Sequence, residues 1–141
     1  MKIILITLLF SLSLFGAKLD NFASGVKYFR DYDSAFLKAK KEKKLLMLVI
    51  VKDDCAWCKK LERSTLANEK VRQKVLDNVP VIIDQKHEKG KIPKKYLAEL
   101  FPTVIFIDPK NNKEFYKFIG YVKKNDFLLI LKDVKSKYVY K

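Results

Sequence analysis

Two cysteines and one histidine are the whole supply of thiol and imidazole in a chain of 141 residues. A disulfide-framework domain needs more cysteine than that. A structural zinc centre needs four ligands and a catalytic one three plus water, so no metal site and no cofactor is expected. His87 stands between Lys86 and Glu88 and reads as a solvated loop residue. Glycine and proline are scarce, at four each, so no low-complexity linker divides the chain, and no internal repeat is visible. The length suits one domain. Disorder is excluded by a composition that is 49% hydrophobic and 13% aromatic. Long apolar runs are also missing, with one exception at the start. Ile3 to Phe15 is apolar over 13 residues, short of the roughly 20 that span a bilayer.

That opening stretch has the form of a secretory signal peptide, with Lys2 ahead of the apolar centre and Ala17 as the expected last residue. Phe15 is large for its distance from the cut, so an uncleaved N-terminal anchor is the alternative. No cysteine follows for lipid attachment. The expected organisation is a signal peptide over 1–17, a loose lead-in over 18–25 and a domain over 26–141, placed in the periplasm or secreted. The net charge is +14. The lysines are spread along the whole chain, and an exported protein does not meet nucleic acid, so the charge reads as a solvated surface. The densest run, Lys38 to Lys44, closes an expected helix, where cations suit the dipole.

Both cysteines fall in Cys55-Ala56-Trp57-Cys58. A staple that closes so small a loop stabilises little, because loop-closure entropy grows with loop length. The spacing suits chemistry better: one thiolate attacks a disulfide and the second resolves the mixed disulfide. Leu45 to Val51 is an unbroken apolar run, the pattern of a strand buried on both faces. A short polar loop and the start of a helix follow. That order places Cys55 at a helix N-terminus, where free N–H groups favour a thiolate. Cys55 is therefore the expected nucleophile and Cys58, one turn inside, the resolving thiol. Lys59 and Lys60 favour the thiolate while Asp53 and Asp54 oppose it, and the net sign stays open.

Around this centre the pattern predicts a helix capped at Asp33 or Ser34 and running to about Lys44, with Ala35, Phe36, Leu37 and Ala39 inward. Val26 to Phe29 reads as a short edge strand. A second helical piece starts at Asn68, with Val71, Val75 and Leu76 inward. Val79 to Ile83 is a strand with Pro80 at an edge or at its start. Asp84 to Ile92 reads as loop. Pro93 to Leu100 reads as a helix that buries Tyr96, Leu97 and Leu100. Thr103 to Ile107 and Glu114 to Tyr121 form a hairpin, with a bulge expected at Gly120. A last helix, capped at Asn125 or Asp126, buries Phe127, Leu128, Leu131 and Val134 and frays from Lys135. Strands that alternate with helices and end in a hairpin imply an α/β mixed sheet with helices on both faces.

This order, with Cys55-Ala56-Trp57-Cys58-Lys59 after the strand and Phe101-Pro102-Thr103 before the next one, resembles the thioredoxin fold. Pro102 lies 44 residues after Cys58. Cys58-Lys59, Thr65-Leu66, the helix from Asn68 and Gly120-Tyr121 are similar to exported thioredoxin-like proteins and to the C-terminal domain of the Dsb-type transmembrane reductase. The resemblance implies that Pro102 is cis and faces the cysteines, and that the backbone beside it pairs with an extended substrate. It implies a substrate-binding rim of Trp57, Phe101, Pro102 and Thr103, although Phe101 reads equally as core and Trp57 as packed on the loop. It also implies a thiol–disulfide oxidoreductase acting on exported protein disulfides or thiols as a monomer, with a transmembrane Dsb-type reductase as electron donor. Two departures are plain. Asp54 stands where thioredoxins often have Trp, and Val49 where they carry a buried Asp. The rival readings are a disulfide oxidase or isomerase, and a non-catalytic binding or redox-sensing module.

Overall fold

The computed structural model describes residues 18–140; the expected signal peptide lies outside them. At the centre is β1 (Leu46–Val51), buried at all six positions. A wholly apolar strand is stable only where a sheet is covered on both faces. β2 (Val79–Asp84) pairs with β1 in parallel and β3 (Thr103–Asp108) pairs antiparallel. β4 (Lys113–Ile119) completes the order β2-β1-β3-β4. This is the mixed α/β sheet of the thioredoxin fold.

Alternation along β1 divides the core in two. Met47, Val49 and Val51 join Leu61, Val71, Val75, Phe127 and Leu131 on one face. Leu46, Leu48 and Ile50 join Ala35, Ala39 and Tyr96 on the other. The first face is covered by α1 (helical residues 18–26), α3 (Ala56–Lys60), α4 (Glu69–Val75) and α6 (Lys124–Lys137). The second is covered by α2 (Tyr32–Glu42) and the chain around Tyr96.

Several elements differ from expectation. Residues 18–26 are helical rather than a loose lead-in, because Leu19, Ala23 and Val26 share one face and bury it. The edge strand expected at Val26 to Phe29 shrinks to one bridge, Phe29 to Val81. The α2 cap is Asp31, whose carboxylate accepts the Ser34 N–H at 2.9 Å. Leu37 is 67% exposed because α2 presents the small Ala35 and Ala39 to the sheet. Leu76 lies past the end of α4 and is likewise exposed. The cap at Asn68 holds.

The helix expected over 93–100 is only a 3₁₀ turn, Lys94–Tyr96. The side chain of Gln85 accepts the Ala98 N–H at 2.8 Å and donates to the Ala98 carbonyl at 2.8 Å. Those backbone groups therefore need no helix. Leu100 is left 63% exposed, not buried. The expected loop after β2 begins with a one-turn helix, α5 (Gln85–Glu88), whose cap Asp84 accepts the Lys86 N–H at 2.9 Å. Gly120 is not a bulge. It follows β4 at φ +94°, a conformation that suits glycine, and the register shift falls at Phe106/Ile107. α6 starts two to three residues earlier than expected, with Lys123 as N-cap, and stays helical to Lys137. No helix among the described residues is long and apolar enough to cross a membrane.

Candidate active site

β1 ends at Val51, and the chain turns through Asp53 and Asp54 into α3. Cys55 is the N-cap of that helix, with extended backbone at φ −114° and ψ 106°. Its Sγ accepts the Cys58 N–H at 3.1 Å. This is the place an oxygen-bearing side chain takes in an ordinary cap. An N–H aimed at the sulfur favours the anion. The cysteines form a disulfide, with Cα atoms 5.2 Å apart. Cys55 is partly exposed and Cys58 fully buried, the asymmetry expected of an attacking and a resolving thiol.

Beyond Lys60 the helix widens into a π-helical turn, Leu61–Leu66. Such turns concentrate at functional sites. Thr65 ties it to the loop after β4, donating its hydroxyl to the Val122 carbonyl at 2.6 Å. The turn carries Glu62, which sequence reasoning passed over. Glu62 is 4% exposed, one helical turn past Cys58, and its Oε2 has no hydrogen-bond partner among the described residues. Burial pushes its carboxyl above the usual range, against the pull of Lys59, whose ammonium lies 3.7 Å away. Val49, where a buried acid was looked for, is sealed in the core. The legible signal for Glu62 was its position four residues after Cys58, on the same helix face.

The acids before Cys55 are held by α5. Asp53 accepts from His87 at 2.8 Å and lies 3.3 Å from the Lys86 ammonium, which also reaches Asp54 at 3.3 Å. The hydrogen bond from His87 lowers the Asp53 pKa, and the same bond raises that of His87. His87 is thus a loop anchor rather than a merely solvated side chain. With these partners the two carboxylates oppose a Cys55 thiolate less than bare charges would. Asp53, Asp84 and His87 each bring a ligand atom within 4.8 Å of the others. Lys86 and His87 already meet Asp53, and Asp84 Oδ1 is taken up with capping α5.

The expected rim residues gather at this end of the sheet. Ile50 pairs with Thr103 and Thr103 with Ile119, so Phe101, Pro102 and Tyr121 all lie just beyond the end of β1. The Phe101–Pro102 peptide is cis. The Pro102 carbonyl accepts the Gly120 N–H at 2.7 Å, and Thr103 donates its hydroxyl to the Leu100 carbonyl at 2.7 Å. Pro102 and Thr103 are buried, Phe101 is partly buried and packs against both halves of the core, and Trp57 is 57% exposed. Trp57 stacks on Tyr121 with ring centroids 5.9 Å apart.

Solved structures share this fold. A thioredoxin from Thermus thermophilus superposes with a TM-score of 0.68 at 20% identity, covering 78% of this chain and 88% of that one. The C-terminal domain of DsbD from Neisseria meningitidis, in its oxidised form, gives 0.61 at 21% identity, covering 75% and 97%. A DsbH oxidoreductase gives 0.60 at 19%, covering 78% and 85%. No curated protein sequence matches the chain. The family model for the thioredoxin-like domain matches residues 32–135, which hold β1, the cysteine pair, Pro102 and most of α6: the chain belongs to the thioredoxin-like domain family.

Proposed function

We propose that the protein is a thiol–disulfide oxidoreductase that reduces disulfides in exported proteins. One observation carries this reading. Cys55 sits at a helix start with an N–H aimed at its sulfur, and the fully buried Cys58 stands directly behind it. In the reduced protein the Cys55 thiolate attacks one sulfur of a substrate disulfide. The substrate S–S bond breaks and its leaving thiolate takes a proton. Cys58, deprotonated, then attacks the Cys55 sulfur of the mixed disulfide. The second substrate thiol leaves, and the protein keeps the Cys55–Cys58 bond. Two electrons pass from protein to substrate.

Glu62 suits the proton transfer at Cys58, being buried, one helical turn away on the same face, and raised in pKa. Trp57, Phe101, Pro102 and Thr103 form the rim over which an extended substrate would lie. Placement in the periplasm or outside the cell rests on the opening apolar stretch. A transmembrane Dsb-type reductase as electron donor, and reduction as the direction, rest on the likeness of the Cys58-Lys59 and Thr65-Leu66 pattern to that group.

Two measurements test the proposal. Cys55→Ser should abolish reduction of a protein disulfide, and full activity in that variant would overturn the role. A Cys55–Cys58 reduction potential near about −270 mV supports a reductase, whereas one near about −120 mV makes the protein an oxidant.

A further inference from the structure

Two lysines flank the cysteine pair, and each rests on an aromatic ring. Lys52, three residues before Cys55, places its ammonium 4.3 Å from the centre of the Phe101 ring. Lys60, at the other end of α3, sits 5.1 Å from the Trp57 ring and 4.7 Å from the Tyr121 ring, above the stacked pair. Neither has a carboxylate partner among the described residues. Their neighbours do: Lys59 meets Glu62, and Lys86 meets Asp53 and Asp54.

From this arrangement we infer that the site selects cystine-bearing segments with acidic residues on either side of the disulfide, read by Lys52 and Lys60. The inference rests on the thiol–disulfide exchange reading and names its substrate class. A ring face attracts an ammonium without neutralising it. Each lysine is therefore held in place, and loses little freedom when a substrate carboxylate arrives, yet keeps its full charge. The rings add apolar surface on which an extended peptide can lie. The carboxylates that would repel an acidic substrate next to Cys55 are already drawn to Lys86 and His87. The net charge of +14 draws acidic chains from a distance; the two ring-held ammoniums fix where on the substrate the acids must be.

The test is a single-turnover reaction of the pre-reduced protein, quenched by alkylation and read by mass spectrometry. The probes are three cystine peptides of one length whose flanking residues are Glu, Gln or Lys, together with bis(2-hydroxyethyl) disulfide. The expected order of rates is Glu over Gln over Lys. In the double variant Lys52→Gln, Lys60→Gln, the Glu-to-Gln rate ratio should fall about three- to tenfold toward one, as expected of two surface ion pairs, and added salt should erase the preference in the unaltered protein. The control is Lys40→Gln, Lys41→Gln on α2, at the opposite end of β1 from Cys55, and it should keep the ratio.

Three results overturn the substrate class. One is equal loss on every probe, which would make the lysines tuners of Cys55. Another is an equal fall in the control, which would leave only net charge. The third is reduction of all peptides at one rate. Inertness toward the peptides and the small disulfide together would instead overturn the exchange reading itself.

Discussion

The Lys59 ammonium stands 3.7 Å from a Glu62 carboxylate that is otherwise shut away from water. Burial raises the Glu62 pKa and Lys59 only partly offsets it, so the folded protein holds a charge it disfavours. Stability should therefore fall as pH rises from the unfolded-chain value of about 4.3 through the higher folded value. Glu62→Gln should raise Tm at about pH 8 and change it little at about pH 3.5, where both states are neutral. If the carboxyl also moves the Cys58 proton, the same variant should slow disulfide reduction about tenfold or more. Thermal melts and stopped-flow kinetics across pH separate the two effects.

Removing the resolving thiol should trap the reaction halfway. Cys58→Ser should accumulate a Cys55 mixed disulfide with a protein substrate, seen as a band shift on a non-reducing gel. Cys55→Ser should accumulate none, because Cys58 is fully buried.

His87 and Asp53 should make the turn before Cys55 pH-dependent. The His87 pKa is raised above 6.5, so its contribution is full below that value and is lost as pH rises through the folded value. The Asp53 pKa is lowered below 3.8, so its contribution is full above that value and is lost as pH falls through the folded value. His87→Gln should therefore lower Tm most between about pH 4 and about pH 6.5, and least above about pH 8. A deficit that grew with pH would contradict the pairing.

Two substitutions test the scaffold by urea denaturation. Phe127, fully buried and edge-on to Phe118 at 5.6 Å, should cost about 3–5 kcal/mol as Phe127→Ala. Asn68 accepts the Lys70 and Val71 N–H groups at 3.1 and 3.3 Å, and Asn68→Ala should cost about 1 kcal/mol.

Where a local pattern decided the structure, the sequence was legible. Leu46 to Val51 could be nothing but a doubly covered strand, and Asn68 declared its helix. Cys55, Cys58 and Pro102 were found by spacing and resemblance, and the fold brings them to one end of the sheet. What escaped depended on partners distant in the chain. Gln85 replaces the helical hydrogen bonds of Ala98 from 13 residues away, which no window around Pro93 reveals. Residues 18–26 become a helix because a core formed much later in the chain takes up Leu19, Ala23 and Val26. Glu62 was hidden differently: a charged residue on a short helix reads as surface, and only the turn between α3 and α4 puts it inside.

The border of a sheet, left open, can anneal to any extended chain it meets. The outer rim of β2 is closed against that. Val79 donates its N–H inward to Leu45, so the even-numbered positions face out. Pro80 has no N–H to give, Ile82 donates to the Phe29 carbonyl at 3.0 Å, and Asp84 donates to Glu88 at 3.2 Å. The single bridge at Phe29 thus works with a proline and a carboxylate to leave no outward donor along that strand. At the opposite border β4 sets Lys113, Glu114 and Lys117 in water, charges that discourage strand addition, among the exposed Phe115, Tyr116 and Ile119. The β2 border is thus closed to strand addition, whereas the end of the sheet beyond Val51 exposes Trp57 and part of Cys55.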